Sequence, residues 1–270
     1  MDLLRGPVRG GLGSDLMSPA EVVAIILAGV AAGTINTVVG SGTLVTFPTL
    51  LAIGVPPVTA NVSNSIGLVP GSISGAIGYR RELAGQWRRA VRLVPASAAG
   101  AVVGAVLLLV LPAGAFSAIV PVLIVLGCLL VVLGPRISAA VARRRAGRAA
   151  APAHGTWWTP PLVGRTGVYG GYFGAAQGII LLAVMGIGID DDLQRLNGMK
   201  NVLGAVANGV SGLVFIVVAD VDWLVVLLIA IGAVVGAQIG AAYGRRLPDA
   251  ALRAFIVLVG VVALAAFLRG

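Results

Sequence analysis

The chain has 270 residues, of which 58% are hydrophobic and 11% are charged, and its mean hydropathy is +1.02. Soluble domains average about 45–50% apolar and about 25% charged residues. The composition therefore excludes an ordinary soluble protein and predicts an all-α protein that crosses the cytoplasmic membrane several times. The net charge of +9 does not predict nucleic-acid binding, because the arginines lie in short clusters between apolar runs. Such clusters set orientation, since Lys and Arg are retained on the cytoplasmic side.

The start of the chain, residues 1–19, is polar and glycine-rich, and we expect an extramembrane tail without a cleaved signal peptide. Ser18 and Pro19 are typical of a helix start. The single cysteine, Cys128, lies in an apolar run, and the single histidine, His154, lies in a loop. This excludes an intrachain disulfide and most Cys/His metal sites.

The first apolar run covers residues 20–54 and is too long for one straight span. As a single helix it would measure about 52 Å, whereas the hydrocarbon core is about 30 Å thick. Gly40, Ser41 and Gly42 near its middle, with Pro48 beyond them, predict a break or a full reversal. Three runs of about one span each complete a first membrane repeat, which ends at residue 134: they cover 58–79, 91–111 and 114–133.

The only long polar connection, 135–161, is predicted to be a basic cytoplasmic loop. Its arginines favour a solvated segment that sets orientation over a lipid-binding or regulatory segment. Trp157 and Trp158 near its end are typical of a membrane interface. A second membrane repeat, 162–270, follows, with apolar runs at 162–189, 196–219, 223–243 and 250–268. Together the two repeats predict about eight membrane segments.

The two halves share a spaced pattern of residues. At a constant offset of 138, the first element repeats four residues: Gly29, Gly33, Gly40 and Leu44 recur at Gly167, Gly171, Gly178 and Leu182. At an offset of 137, the second element repeats four more: Asn64, Gly67, Ser74 and Gly75 recur at Asn201, Gly204, Ser211 and Gly212. Matches in this order indicate an internal duplication.

Two arrangements of the first element in each half remain open. If it spans the membrane once, five basic residues lie on the side of the membrane opposite to the other basic residues: Arg195, Lys200, Arg245, Arg246 and Arg253. If it is a re-entrant hairpin that returns to its starting side, only three lie on the opposite side: Arg5, Arg9 and Arg269. The hairpin arrangement is favoured because it fits the charge bias better. It also makes the halves inverted repeats, as in many secondary transporters.

Polar residues converge near the glycine-rich breaks. The first break offers free backbone N–H groups and a helix N-terminus, which together favour an anion; a purely structural kink is the alternative. Amides recur at helical spacing in both halves and are expected to face the bundle interior, as binding groups or as interhelical glue. The predicted substrate-binding residues are Asn36, Gly40, Ser41, Gly42, Thr43, Asn61, Asn64, Ser65, Gln177, Gly178, Asn197, Lys200, Asn201 and Asn208.

Lys200 is the sharpest of these residues, because an ionisable group within an apolar, amide-lined helix indicates function. A lysine beside amide donors suits a small oxyanion. The alternative is that Lys200 lies near the helix start and extends to the interface, helped by the acidic triplet 190–192 and Arg195. The acidic triplet itself is interpreted as a helix cap.

Other chemistry is not indicated by the sequence. There is no nucleophile–base pair, no metal cluster and no nucleotide-binding loop, and no pair of intramembrane acids or histidines forms an evident proton relay. We therefore expect no enzymatic activity, no cofactor and no bound metal.

Four segments resemble the TauE/SafE sulfite exporter family of membrane permeases, over about residues 20–268. They are AGTINTVVGSGTLVTFPTLLAIGVPPVTANVSNSIG at 32–67, the basic segment from Tyr79 to Trp87, GVYGGYFGAAQGIILLAVMGIG at 167–188, and DLQRLNGMKNVL at 192–203 with the later Val221-Asp222-Trp223. Lys200 and Asn201 match a Lys-Asn pair of the family. Ser41 stands within a run that is three glycines in many members, and Asn36 stands where many have a small residue.

The resemblance implies a secondary transporter that moves a small anion, sulfite or an organosulfonate, across the cytoplasmic membrane, more often by export than by uptake. We expect alternating access between two halves, with backbone donors from Gly40 to Thr43 and from Gly178. Asn36, Asn64 and Asn201 would orient the anion, and Lys200 would supply the compensating charge. The expected partners are the anion and the bilayer, without nucleic acid, and a homodimer is left open. The alternatives are an importer or channel for a small neutral metabolite, or a non-transporting membrane scaffold.

Overall fold

The structure, a computed structural model, describes residues 17–146, 155–244 and 249–269. In these ranges the chain is helical and has no strand, which confirms the all-α prediction. The helices are α1 Pro19–Val38, α2 Thr43–Ala52, α3 Pro57–Gly78, α4 Arg80–Leu83, α5 Trp87–Val110, α6 Ala113–Ala146, α7 Thr159–Tyr172, α8 Gln177–Gly188, α9 Leu193–Val218, α10 Trp223–Tyr243 and α11 Asp249–Arg269. Most of the predicted tail, the centre of the predicted basic loop with His154, and Arg245 and Arg246 lie outside the described residues.

Five of the described helices are long and apolar enough to cross a bilayer: α1, α5, α6, α9 and α10. Helices α2 and α8 and residues 250–265 of α11 are apolar but shorter. Helix α3 has 22 residues, a sufficient length, but its buried face carries Asn61, Asn64 and several serines. The prediction of a protein that crosses the membrane several times is therefore confirmed.

Both long first runs are interrupted. The predicted break in the first run is confirmed, since α1 ends at Val38 and α2 begins at Thr43. In the second half the break separates the end of α7 from the start of α8 at Gln177. The backbone turns through left-handed conformations at Gly40, with φ of 86°, and at Gly174, with φ of 76°. Glycine adopts such angles without steric cost, and for this reason each break contains one.

Helix α6 is longer than predicted. It continues to Ala146, so residues 135–146, which were predicted to begin a loop, are helical. The segment is rich in alanine and arginine, two residues with high helix propensity, and the charged residues fall at the end of the helix, beyond the apolar span. Composition identified the polarity of this segment correctly but not its conformation.

Glycine faces bring α1 against α10 and α5 against α7 so closely that the backbones are in contact. A Cβ added to Gly33 would lie 2.8 Å from the Cα of Ala233, and one added to Gly171 would lie 2.9 Å from the Cα of Ala101. Small residues at such faces let helices approach closely and interact through van der Waals contact. In both pairs, a helix of one half packs against a helix of the other.

These contacts also define the direction of the helices. Helix α1 runs parallel to α10, because residues pair in the same order along both: Gly29 with Ile229, Gly33 with Ala233, and Val38 with Gly244. Helix α3 is also parallel to α10, with the pairs Gly67 and Ile229, Gly71 and Ala233, and Gly78 and Ala241. Since α1 and α3 point the same way, the short α2 must bring the chain back between them.

The corresponding pair in the second half, α7 and α8, forms a hairpin. The amide of Thr156, just before α7, donates to the carbonyl oxygen of Gly188 at the end of α8 (3.0 Å). The start of one helix is therefore bonded to the end of the other. The chain enters the bundle along α7, turns at residues 173–176, and returns to the level at which it began.

A charged cluster joins α5 to the connection between α8 and α9. The Asp191 carboxylate accepts from the guanidinium of Arg89 at 2.7 Å and from that of Arg195 at 2.9 Å. The Arg89 side chain is 5% exposed, so this ion pair is largely buried. Asp192 caps α9 by accepting from the amide of Gln194 (2.8 Å). The predicted capping role of the acidic triplet is thus confirmed for Asp192, whereas Asp191 links two parts of the chain.

Candidate substrate-binding site

The two chain breaks meet in the interior of the protein. The amide of Gly178 donates to the carbonyl oxygen of Gly40 (3.1 Å), and a Cβ added to Gly178 would lie 2.5 Å from the Cα of Gly40. Only glycines permit this approach, which brings the N-termini of α2 and α8 together. Because the amide of Gly178 is used in the contact, it is not available to a ligand in this conformation. That Gly178 acts as a backbone donor stays a prediction.

Lys200 holds the C-terminus of α1. Its Nζ donates to the carbonyl oxygens of Asn36 and Thr37, each at 2.9 Å. The last four carbonyl oxygens of a helix have no hydrogen-bond donor within the helix and need one from elsewhere. The side-chain amides of Asn197 and Asn201 reach the same Thr37 oxygen at 3.4 Å. Lys200 is 2% exposed, so its side chain does not extend to the interface as the alternative prediction required. A positive charge at the C-terminus of a helix is favoured by the helix dipole.

Asparagines of α3 hold the other ends of the broken helices. Asn64 accepts from the hydroxyl of Thr46 and donates to the hydroxyl of Thr43 (3.4 Å), which fixes the first turn of α2. Asn61 donates to the carbonyl oxygen of Tyr172 (2.9 Å), the last residue of α7. Each break is therefore tethered by amide side chains from a neighbouring continuous helix.

A cavity of about 20 Å³ lies beside Lys200, between the two breaks and α9. Gln177 is 5% exposed, and its Nε2 has no hydrogen-bond partner among the described residues. No carboxylate belongs to the part of the wall that the structure describes. The residues that line the cavity are Asn36, Gly40, Thr43, Gly174, Gln177, Gly178, Leu181, Lys200, Asn201, Gly204 and Asn208.

Backbone amides add to the donors around this cavity. In the first break, the described contacts provide no acceptor for the amides of Ser41, Gly42 and Thr43. The N-terminus of a helix carries a partial positive charge, and the cavity is lined by the first residues of both α2 and α8. Two helix N-termini, one ammonium group and one unpartnered amide thus surround a single small space, an arrangement that favours negative charge.

The structure brings only part of the predicted site together. The cavity wall contains eight of the predicted residues: Asn36, Gly40, Thr43, Gln177, Gly178, Lys200, Asn201 and Asn208. Six lie outside it: Ser41, Gly42, Asn61, Asn64, Ser65 and Asn197. Among these, Asn61, Asn64 and Asn197 bond to the broken helices, and Ser65 bonds to the carbonyl oxygen of Asn61 within α3 (2.8 Å). That any of the fourteen binds a substrate stays a prediction.

Three residues of the cavity wall are not among the substrate-binding residues predicted from the sequence: Gly174, Leu181 and Gly204. Gly204 belongs to the repeated pattern and lies on the same helix face as Lys200, so the spacing alone could have included it. The carbonyl oxygen of Thr37, which accepts from three side chains, has no signal in the sequence, because every residue carries such a group.

Comparison with known proteins agrees with this architecture. The family described as "Sulfite exporter TauE/SafE" matches residues 25–267 of the chain. This match covers nearly all of the described helices, from the first turns of α1 to the end of α11. The resemblance noted from the four sequence segments is therefore confirmed.

Three relatives are similar over most of their length. "Probable membrane transporter protein ORF9" from Sinorhizobium is 28% identical over 88% of this chain and 88% of its own. "Probable membrane transporter protein YfcA" from Escherichia coli K12 is 26% identical over 92% and 89%. A "Probable membrane transporter protein" from Haemophilus influenzae is 24% identical over 88% and 91%. No solved structure matches the chain. The chain is therefore a membrane transporter of the TauE/SafE family.

Proposed function

We propose that this transporter moves a small anion, sulfite or an organosulfonate, across the cytoplasmic membrane, in the direction of export. The observation that carries the proposal is the Nε2 donor of Gln177, which is buried, unpartnered among the described residues and part of the cavity wall. A buried donor without an acceptor costs free energy. That cost is offset when an anion binds beside it.

The charges around the cavity support an anion over a cation or a neutral solute. Lys200 contributes a positive charge in its protonated form, and the first residues of α2 and α8 contribute partial positive charges. The C-terminus of α1, a negative pole beside the cavity, is already bonded to Lys200 and to the amides of Asn197 and Asn201. A bound oxyanion would therefore meet donors from several directions and no carboxylate from the described wall.

The proposal is tested most directly at Gln177. Replacing it by leucine is expected to weaken anion binding about tenfold or more, because a hydrogen bond to a charged group contributes about 1.5–3 kcal/mol. Replacing it by glutamate is expected to abolish transport, since a carboxylate would then face the substrate. The measurement is sulfite counterflow in proteoliposomes, with thermal stability recorded for each variant.

Because the Nε2 of Gln177 bonds to nothing among the described residues, Gln177→Leu is expected to melt close to the wild-type temperature. Gln177→Glu places a buried carboxylate beside Lys200, so its transport is compared at equal amounts of folded protein. Gln238 serves as a matched control: its amide bonds the carbonyl oxygen of Ser74 (2.9 Å) away from the cavity. Gln238→Leu is expected to lower stability while the folded fraction transports normally. Wild-type counterflow by Gln177→Glu would contradict an anion site at this position.

The proposed mechanism is alternating access by two inverted halves. The cavity of about 20 Å³ holds about one water-sized molecule, so an oxyanion of four heavy atoms needs it to widen. The contact between Gly40 and Gly178 closes it, and these glycines lie at equivalent positions of the two halves. We propose that separation of the two breaks opens the site, to one side or the other, as in transporters with discontinuous helices.

The inverted arrangement has its own test, by labelling single cysteines in a Cys128→Ala background. Ala20, Ala52 and Ala84 are all exposed: Ala20 lies in the first turn of α1, Ala52 is the last residue of α2, and Ala84 lies in the turn that follows α4. If α1 and α2 form a re-entrant pair, a membrane-impermeant thiol reagent added outside cells should modify both Ala20→Cys and Ala52→Cys, and it should modify Ala84→Cys only after the cells are opened. Modification of Ala20→Cys and Ala52→Cys from opposite sides of the membrane would refute the arrangement.

A further inference from the structure

A second and larger cavity lies next to the candidate site. Its volume is about 330 Å³, within the range of small-molecule sites. We call it the vestibule; it is lined by Val38, Val39, Tyr79, Gly134, Ser138, Ile179, Leu182, Leu193, Gln194, Asn197, Gly244 and Arg253. Eight of these residues lie at the ends of α1, α3 and α10 and in the first turns of α9 and α11, and the other four belong to α6 and α8. The vestibule therefore lies at the level at which the ends of α1, α3 and α10 meet the starts of α9 and α11. The proposed orientation places that level on the cytoplasmic side.

Asn197 lines the vestibule and lies one helical turn before Lys200, which lines the smaller cavity. Its Nδ2 donates to the Tyr79 hydroxyl (2.8 Å) and to the Thr37 carbonyl oxygen (3.4 Å). A carbonyl oxygen can only accept, so this contact fixes the orientation of the amide. The Oδ1 of Asn197 therefore points elsewhere; it is buried and has no partner among the described residues, and the residue is 6% exposed.

The vestibule offers a second acceptor of the same kind. The Oε1 of Gln194, one helical turn before Asn197 on α9, is buried and has no partner within the described chain. A buried acceptor without a donor is as costly as a buried donor without an acceptor. The two amide oxygens, which lie on one face of α9, would therefore be stabilised by an occupant that carries an O–H or N–H group.

The rest of the wall supplies a positive charge and an apolar surface. Arg253 belongs to the first turns of α11 and carries a permanent guanidinium charge. Ile179 and Leu182 of α8 add aliphatic surface. No Asp or Glu lines the described part of the vestibule. The wall therefore fits a molecule with an anionic head, a short carbon chain and a hydrogen-bond donor.

We propose that the vestibule binds a small organic oxyanion that also bears a hydroxyl or amino group, and that it selects such anions over analogues without the donor. The proposal rests on the transport function proposed above and deepens it, because an anion bound in the vestibule would pass Asn197 on its way to the cavity beside Lys200. Selection at the vestibule is nevertheless a binding property, and it is measured without transport.

Calorimetric titration of the full-length protein in phosphatidylcholine nanodiscs tests the proposal with two matched pairs. The pairs are 2-hydroxyethanesulfonate with ethanesulfonate, and lactate with propionate; the members of each differ in one hydroxyl. The hydroxylated member is expected to bind about three- to tenfold more tightly, the effect of one added hydrogen bond. Equal affinities within both pairs, or no binding by any member, would overturn the proposal.

Two variants assign the selectivity to residues. Gln194→Leu is expected to reduce the preference for the hydroxylated members, and Arg253→Met is expected to weaken both members of each pair about equally. Asn197 is left unchanged because it holds the end of α1. Arg88→Met is the matched control, since Arg88 is exposed on α5 and does not line the vestibule. Unaltered binding by both Gln194→Leu and Arg253→Met, at wild-type melting temperature, would refute the assignment.

A lipid head group shares part of this chemistry, and phosphatidylglycerol carries both a phosphate and hydroxyls. The titrations are therefore repeated in nanodiscs with phosphatidylglycerol, and loss of the response to all four small anions there would overturn the proposal in favour of a lipid site. The result is independent of the transport site: selective binding at the vestibule together with wild-type counterflow by Gln177→Glu would refute the proposed cavity and leave the vestibule supported.

Discussion

Replacing Lys200 by methionine is expected to abolish anion transport and also to destabilise the protein. The carbonyl oxygen of Asn36 loses its donor at 2.9 Å, and that of Thr37 keeps only the longer contacts with Asn197 and Asn201 at 3.4 Å. A buried polar group left without a partner costs about 1–3 kcal/mol. The anion also loses the ammonium group of the described wall. Since charge-assisted bonds contribute about 1.5–3 kcal/mol, we expect at least a tenfold weaker affinity from this loss alone. Sulfite counterflow and thermal melting measure the two effects.

A glutamine at the same position separates these two effects. Lys200→Gln keeps a donor that reaches the end of α1 but removes the charge, so it is expected to recover part of the stability and none of the transport. Arg165→Gln is the control, because Arg165 is exposed on α7 and does not line the cavity. This variant also loses one positive charge, but at a position outside the candidate site. Substantial counterflow by Lys200→Gln would show that the ammonium acts only as a helix cap and not on the substrate.

Replacing Arg89 by methionine is expected to cause the largest loss of stability among substitutions outside the candidate site. It leaves Asp191 without its contact at 2.7 Å in a place where the carboxylate side chain is only 17% exposed. Breaking a fully buried pair costs about 3–5 kcal/mol; the loss here is reduced by the partial exposure of Asp191 and by its second partner, Arg195. The free energy of unfolding in mixed micelles measures the effect.

The same ion pair is expected to make stability depend on pH. Burial raises the pKa of Asp191, but the hydrogen bonds from Arg89 and Arg195 together lower it by more than burial raises it. The pKa therefore lies below its ordinary value of 3.8. The contribution of the pair is therefore complete above that ordinary value and is lost as the pH falls through the lowered pKa of the folded state. Melting temperatures measured from neutral to acid pH should decline at the acid end in the wild type and less steeply in Asp191→Asn.

Two controls make this result specific to the pair. Asp192→Asn should be close to neutral, because asparagine caps a helix about as well as aspartate. The double variant Arg89→Met with Asp191→Leu should recover part of the stability lost by Arg89→Met, since removing both charges leaves neither one buried without a partner. A double variant less stable than Arg89→Met would mean that the loss comes from packing and not from an unpaired charge.

Much of the fold could be predicted because the features that define it are local. A bilayer limits the length of a helix, so a run of 35 residues with Gly40 near its centre had to break. The bounds of α10, Trp223–Tyr243, agree with the predicted span because an aspartate precedes it and the apolar run is uniform. Helix α6 was predicted too short for the opposite reason: a helix can continue beyond the apolar region, where hydropathy no longer marks it.

The site could be predicted only in outline, because its geometry depends on partners far away in sequence. Spacing placed Lys200 and Asn201 on one face of α9, and the structure brings both to the cavity. It did not reveal that the ammonium bonds a backbone carbonyl 163 residues earlier, that of Thr37. Similarly, Asp191 was interpreted as part of a cap, since nothing near it in sequence indicates that Arg89 lies against it.

The contact between α1 and α10 has a consequence for how the protein is made. Thr34 donates to the carbonyl oxygen of Gly236 (2.9 Å), a residue 202 positions later in the chain. At a synthesis rate of about 5–20 residues per second, α1 leaves the ribosome about 10–40 s before its partner. Throughout that interval its glycine face, which the finished protein covers with backbone, borders lipid or the insertion machinery. The first half is therefore expected to mature only after the second half has been inserted.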